Sequence, residues 1–135
     1  MIKKCLTIAG SDSSGGAGVQ ADLKTFSALG TYGMSCISAL TAQNTQGVDK
    51  VENVSQAMIR GQLAAIYSDI VPDAVKTGML SCRETVETVA GFLESHNQAP
   101  LVVDPVMVAT TGARLLDEEA IISYKAVSYT HLRAH

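Results

Sequence analysis

Residues 5–22 read CLTIAGSDSSGGAGVQAD: a mostly apolar run, a loop in which four glycines and three serines fall between positions 10 and 22, and the start of a segment with helical spacing. An apolar run of five that stops at glycine reads as a strand, and Val19, Leu23, Phe26 and Leu29 recur along one helix face. The same alternation continues outward from this stretch. Short apolar runs at 5–9, 36–40, 74–75 and 101–103 are separated by helical segments with apolar stripes. Ile59, Leu63, Ile66 and Ile70 form the second stripe, and Val86, Val89, Ala90 and Leu93 the third. The pattern predicts βαβαβαβ, and strands joined by crossover helices imply a mostly parallel sheet covered on both faces. Ser81 and Glu84 have capping-box spacing at the start of the third helix, and Asp117, Glu118 and Glu119 favour the first turn of a fourth.

At 135 residues the chain is one domain's worth and can bury a core. Apolar residues make up 47% and charged residues 17%, the composition of an ordinary globular protein, and a formal charge of −3 gives no reason to expect nucleic acid or an anionic membrane. Aromatic content of 4% without tryptophan argues against a stacking platform for single strands. The partner is expected to be a small molecule. No apolar run has the length of a signal peptide core or a membrane span, and an odd, scattered set of three cysteines points to a reducing, cytoplasmic setting. Cys5, Cys36 and Cys82 each read as small buried hydrophobes.

In parallel sheets ligands gather at the carboxyl ends of the strands, so the residues after each run carry the functional reading. A Walker A loop fails here, because Gly16 stands where its lysine would meet the phosphates. GAGVQA at 16–21 fits G-x-G-x-x-A, yet the loop before it is long for a dinucleotide turn, and Gln43 and Asn44 stand where a ribose-binding acid belongs. The loop serves either as a plain turn or as a wall whose backbone approaches a ligand. Its abundance of glycine favours the second, with Ser13 or Ser14 capping the helix and the first-turn amides left for a polar substrate. A side chain at Gly16 would then intrude on the ligand or on a backbone with positive φ.

The Gln43 amide presents a donor and an acceptor side by side, the complement of an aminopyrimidine edge, although an isolated surface glutamine needs no ligand. Met79 reads as core packing or as a polarizable pocket wall. Asp104-Pro105 opens a turn or ends a strand with a carboxylate that can hold Mg²⁺ near phosphates. Lys76, inside the third run, is expected to pair with a carboxylate or to snorkel, and Lys24 to be solvated. His96, His131 and His135 lack partners at metal-ligand spacing, so neither a metal cluster nor a catalytic triad is expected.

Taken together, AGSDSSGGAGVQADLKTFSALGTYGMS, ALTAQNTQGV, DAVKTGML and VVDPVMVATTGARLLD resemble the hydroxymethylpyrimidine/phosphomethylpyrimidine kinases of thiamine biosynthesis, within the ribokinase-like superfamily. The resemblance implies an α/β fold, a three-layer α/β/α sandwich with a mostly parallel central sheet, here truncated. It further implies transfer of the γ-phosphoryl of ATP, with Mg²⁺, to 4-amino-5-hydroxymethyl-2-methylpyrimidine and then to its monophosphate. Carried over by matched position, Gly10 and Ala17 would close on the pyrimidine, Gln43 would hydrogen-bond its edge, and Ala17, Met79 and Val106 would form its apolar surroundings. Asp104, outside this carried-over set, is the cofactor-binding candidate from its place at the end of the fourth run. Ala42 is smaller than the residue common before this glutamine.

The pattern breaks after about Ile122, where SYKAVSYTHLRAH follows. The expected organisation is therefore the N-terminal portion of a kinase domain over 1–122 and a tail foreign to the family over 123–135. The resemblance places the glycine-rich anion hole and the catalytic residue in a second half, so this chain is expected to be the substrate-binding half, inactive alone and prone to self-association into homo-oligomers through an exposed strand edge. A pyridoxal or pyridoxine kinase of the same superfamily is the first alternative, and a non-catalytic pyrimidine-binding module the second.

Overall fold

The computed structural model describes residues 1–105, so the expectations for Val106, for a helix beginning at Asp117 and for the 122/123 boundary lie outside the described residues. Within 1–105 the order is β1 (Lys4–Asp12), α1 (Gly18–Ala28), β2 (Tyr32–Gln43), β3 (Val48–Asn53), α2 (Gln56–Tyr67), β4 (Ala74–Thr77), α3 (Arg83–His96) and β5 (Leu101–Val103). The five strands form one sheet in the order β3-β2-β1-β4-β5. Every pairing is parallel except β2 with β3. The mostly parallel α/β sandwich is thus present, with one strand the sequence pattern did not reveal. All of β3 beyond Val48 is exposed, so VDKVEN carries no apolar run to announce it.

Side chains alternate across the sheet. Leu6 and Ile8 of β1, Cys36 of β2 and Val75 of β4 point to one face, where they bury Ile59 and Leu63 of α2 with Val86, Val89 and Leu93 of α3. The apolar stripes of α2 and α3 face this core, except that Ile70, expected on the second stripe, lies beyond the end of α2 and packs on the core from the segment after it. On the opposite face α1 lies over β1 and β2. Its stripe is shorter than expected: Val19 is buried, Leu23 and Phe26 are half-buried, and Leu29 caps the helix end in solvent. Beneath α1 the packing is partly polar. Asp22 accepts from the buried Thr7 hydroxyl at 2.6 Å and from Lys76 Nζ at 2.7 Å, which supplies the carboxylate partner expected for that lysine.

Two irregularities in β2 shape its carboxyl end. The register to β1 slips between Ala9 and Gly10, so that Ala9 faces Ile37 and Gly10 faces Ala39, leaving Ser38 as the extra residue of a bulge. The backbone freed there finds other partners. Gln62 of α2 accepts from the Ile37 amide at 2.9 Å and donates to its carbonyl at 3.1 Å, while the Ser38 hydroxyl donates to the Met79 carbonyl at 2.6 Å. The β2–β3 turn closes with Asn44 accepting from the amides of Gln46 and Gly47.

Several local expectations are corrected. α3 begins after Cys82 with no side-chain cap, because Ser81 donates its hydroxyl to Asn53 Oδ1 instead, so Ser81 and Glu84 form no capping box. Only Cys36 is fully buried, and burial pushes its thiol up to about 12, whereas Cys5 and Cys82 are half-buried.

Candidate functional site

β1 is flanked by β2 on one side and β4 on the other, and the chain leaves β1 toward β2 by way of α1 before returning to β4. Such a reversal of strand order opens a crevice beyond the carboxyl ends of the strands, because the loops that follow depart in opposite directions. The carboxyl end of β1 and the segment after β4 meet here. The terminal methyl of Met79 lies against Gly10, in the space that a Cβ there would take, so a side chain at position 10 would displace the flexible thioether. Met79 is 6% exposed and packs with Ala39 and Val48.

The loop from Ser13 to Ala17 is shaped by a residue that the sequence pattern did not single out. Asp12, the last residue of β1, is 3% exposed. Its Oδ1 accepts from the Ser14 amide and hydroxyl, both at 2.8 Å, and its Oδ2 from the amides of Gly16 at 3.0 Å and Ala17 at 2.8 Å. Burial would raise the pKa of this carboxyl, but the bonds from Ser14, Ala17 and Gly16 outweigh it and hold the group below its ordinary 3.8. Neither Ser13 nor Ser14 caps α1: the N-cap is Ala17 and it offers no side-chain bond. The amides of Gly16 and Ala17, just before the first turn of α1, are therefore taken by an internal carboxylate. The signal was present as an Asp followed by Ser-Ser-Gly-Gly, a turn-forming sequence in which the aspartate bonds the amides ahead of it.

Other ties fix the loop to its surroundings. Gln20 of α1 accepts from the Asp12 amide at 2.8 Å and donates to Ser11 Oγ at 2.7 Å. Lys24, though exposed, donates to the Gly15 carbonyl at 2.9 Å and so is more than a solvated charge. Gly15 and Gly18 have φ of +83° and +60°, and Gly16 is not among the positive-φ residues, which moves the backbone requirement to its neighbours. A Cβ at Gly18 would also collide with the Gly10 carbonyl.

Gln43 ends β2, half-buried, its Oε1 accepting from Thr41 Oγ1 at 3.1 Å. Among the described residues its Nε2 has no hydrogen-bond partner, so a donor is left for a ligand. The structure thus brings Gly10 and Met79 into contact and joins Gln43 to the same loop through Ser13, which bonds the Gln43 backbone. Ala17 stands at the far end of that loop, exposed, with its amide turned to Asp12.

Asp104 stands beside the carboxyl end of β4, its amide donating to the Thr77 carbonyl at 2.9 Å. It follows β5, the edge strand among the described residues, is half-exposed, and lies with Oδ2 3.9 Å from Lys76 Nζ. One exposed carboxylate matches the single protein oxygen that a phosphate-bound Mg²⁺ commonly takes. No group of three or more His, Cys, Asp or Glu able to cage a metal occurs among the described residues.

A doubly wound α/β sheet with a glycine-rich loop over its switch point defines a class of small-ligand binding proteins, many of them enzymes of nucleotide and vitamin chemistry. The profile of phosphomethylpyrimidine kinase matches residues 12–131, and this chain belongs to that family. A hydroxymethylpyrimidine/phosphomethylpyrimidine kinase of Rhizobium meliloti is 57% identical over 121 residues, which are 90% of this chain and 45% of that protein. The crystal structure of a phosphomethylpyrimidine kinase from Clostridium difficile is similar with a TM-score of 0.85 and 52% identity, covering 96% of this chain and 55% of the other. A pyridoxal kinase of Staphylococcus aureus, solved in complex with AMP-PCP and pyridoxal, is similar with a TM-score of 0.78 and 38% identity, covering 98% and 45%. The chain thus spans about half the length of these relatives.

Proposed function

We propose that this chain forms the pyrimidine-binding side of a kinase that transfers the γ-phosphoryl of ATP to 4-amino-5-hydroxymethyl-2-methylpyrimidine and to its monophosphate. The observation that supports this reading is the Gly10–Met79 contact beside a loop that Ser13 ties to Gln43, whose Nε2 has no partner among the described residues. Gln43 would pair with the aminopyrimidine edge, while Met79 and the backbone at Gly10 and Ala17 would flank the ring. Val106, just beyond the described residues, would complete the apolar lining. ATP is the phosphoryl donor this reading requires. Asp104 would supply an oxygen to the Mg²⁺ that screens its phosphates. Those phosphates would not be held by the amides of Gly16 and Ala17, which Asp12 already takes. The three cysteines are free thiols, which supports a reducing, cytoplasmic setting, and no helix among the described residues is long and apolar enough to cross a membrane.

Calorimetric titration of the chain with the pyrimidine, with pyridoxal and with Mg·ATP tests the reading. Preferential binding of the pyrimidine supports it. Stronger binding of pyridoxal would transfer the site to the pyridoxal kinase reading, which rests on the lower, 38% identity to the Staphylococcus aureus enzyme. The substrate-binding half is expected to bind without turnover. A non-catalytic binding module is told apart by joining the chain to the remaining half of a relative and finding binding but still no phosphorylation.

A further inference from the structure

We infer that Asp12 is a positioning residue for the pyrimidine site: its two carboxylate oxygens set the shape of the 13–17 loop, so that the backbone at Ala17 stands where the ring must be met. The inference rests on the proposed site and adds to it a residue that touches no substrate.

The geometry separates the two oxygens by task. Oδ1 holds Ser14 through its amide and hydroxyl, and Oδ2 holds the amides of Gly16 and Ala17. Four donors converge on one side chain, which itself is 3% exposed and stands at the end of the central strand. Its own amide is taken by Gln20. Asp12 therefore links the sheet to every turn of the loop, while the neighbouring residue, Ser13, reaches across to Gln43. A loop so rich in glycine has a large choice of backbone states, and only directed bonds can select one of them.

An ionised carboxylate suits this task better than its isosteres. It accepts at both oxygens and donates at neither, whereas an amide presents an NH₂ group to one of the two donor pairs. Asp12→Asn keeps the volume of the side chain but turns either Ser14 or the Gly16 and Ala17 pair against a second donor. The core formed by β1, α2 and α3 does not include Asp12, so the damage is expected to stay within the loop.

The test compares the chain with its Asp12→Asn and Val89→Ala variants by residue-resolved amide exchange, thermal melting and titration with 4-amino-5-hydroxymethyl-2-methylpyrimidine. Val89→Ala opens the core away from the loop and serves as a control for stability. The expected result for Asp12→Asn is faster exchange at Ser14, Gly16 and Ala17 and an affinity about tenfold weaker, equivalent to about 1.4 kcal/mol. Val89→Ala should melt earlier yet bind as before. Equal losses of affinity in both variants would reduce Asp12 to a general stabilising role and overturn the inference. Unchanged exchange and affinity in Asp12→Asn would overturn it as well. If the unmodified chain binds no pyrimidine, the proposed site falls and the positioning role with it, and faster loop exchange in Asp12→Asn then marks a structural tie only.

Discussion

The hydroxyl of Ser13 engages both backbone groups of Gln43, donating to its carbonyl at 2.6 Å and accepting from its amide at 2.9 Å. The loop after β1 is thereby attached to the last residue of β2 as a further ladder position would attach it. Ser13→Ala removes both bonds and should cost roughly 0.5–1.5 kcal/mol, given that the pair is exposed and water replaces part of what is lost. Urea unfolding measures that cost. Pyrimidine affinity should fall with it, and an unaltered affinity would show that Gln43 keeps its place without the loop.

Gln43→Ala should behave differently, weakening the pyrimidine by roughly 1–3 kcal/mol because polar edges of the ligand lose their partner. Its effect on unfolding should stay within about 0.5 kcal/mol, since the side chain is half-exposed and its only protein bond among the described residues is to Thr41. Binding of Mg·ATP should not change. Calorimetry against both ligands would reveal a misassigned side chain as an equal loss for the two.

The glycines divide by backbone. Gly18→Ala sets a Cβ against the Gly10 carbonyl at a φ of +60° and should destabilise by more than about 1 kcal/mol. For Gly16 the nearest atom to a new Cβ is Asp12 Oδ2 at 3.7 Å, an ordinary contact. Gly16→Val should therefore leave the melting temperature nearly unchanged while weakening the pyrimidine, and a variant that binds normally would mean that this part of the loop is only a turn.

Asp22→Ala leaves the fully buried Thr7 hydroxyl and the Lys76 ammonium without their shared acceptor. With the pair 14% and 28% exposed, water compensates in part, and a loss of about 1–3 kcal/mol is expected in denaturant unfolding. Thr7→Val combined with Lys76→Met in the same background should recover part of it.

Acid should act through Asp12. Its carboxyl is held below 3.8 in the folded chain, so its contribution to stability is complete above the unfolded value and disappears as the pH falls through the folded one. The stability gap between the chain and Asp12→Asn should be constant from neutral pH down to about 5 and should narrow below about 4. A gap independent of pH would mean that the carboxylate is not the active form.

The parallel sheet and its helices were legible because Leu6, Ile8, Ile59, Leu63, Val86, Val89 and Leu93 are apolar at strand and helix periods, which is what burial demands. β3 was not legible, since an edge strand exposed on nearly all its residues has no apolar pattern to display. In the loop, composition announced a site but not its wiring. Serine and aspartate side chains there compete for the same amides, and only the fold shows that Asp12 takes them while Ser13 turns to Gln43. Lys76 could be read as needing a carboxylate, yet Asp22 lies 54 positions away and nothing local marks it as the partner.

The central place of β1 has a bearing on the order in which the chain matures during synthesis. β2 leaves the ribosome soon after β1 and can satisfy one of its edges, whereas the strand that satisfies the other, Ala74–Thr77, comes only after α2. Between those moments the N-terminal strand presents an open row of amides and carbonyls next to Leu6 and Ile8, the surface that nascent chains on neighbouring ribosomes are most apt to seize. A pause of translation in that interval would lengthen the time for which that edge stands open.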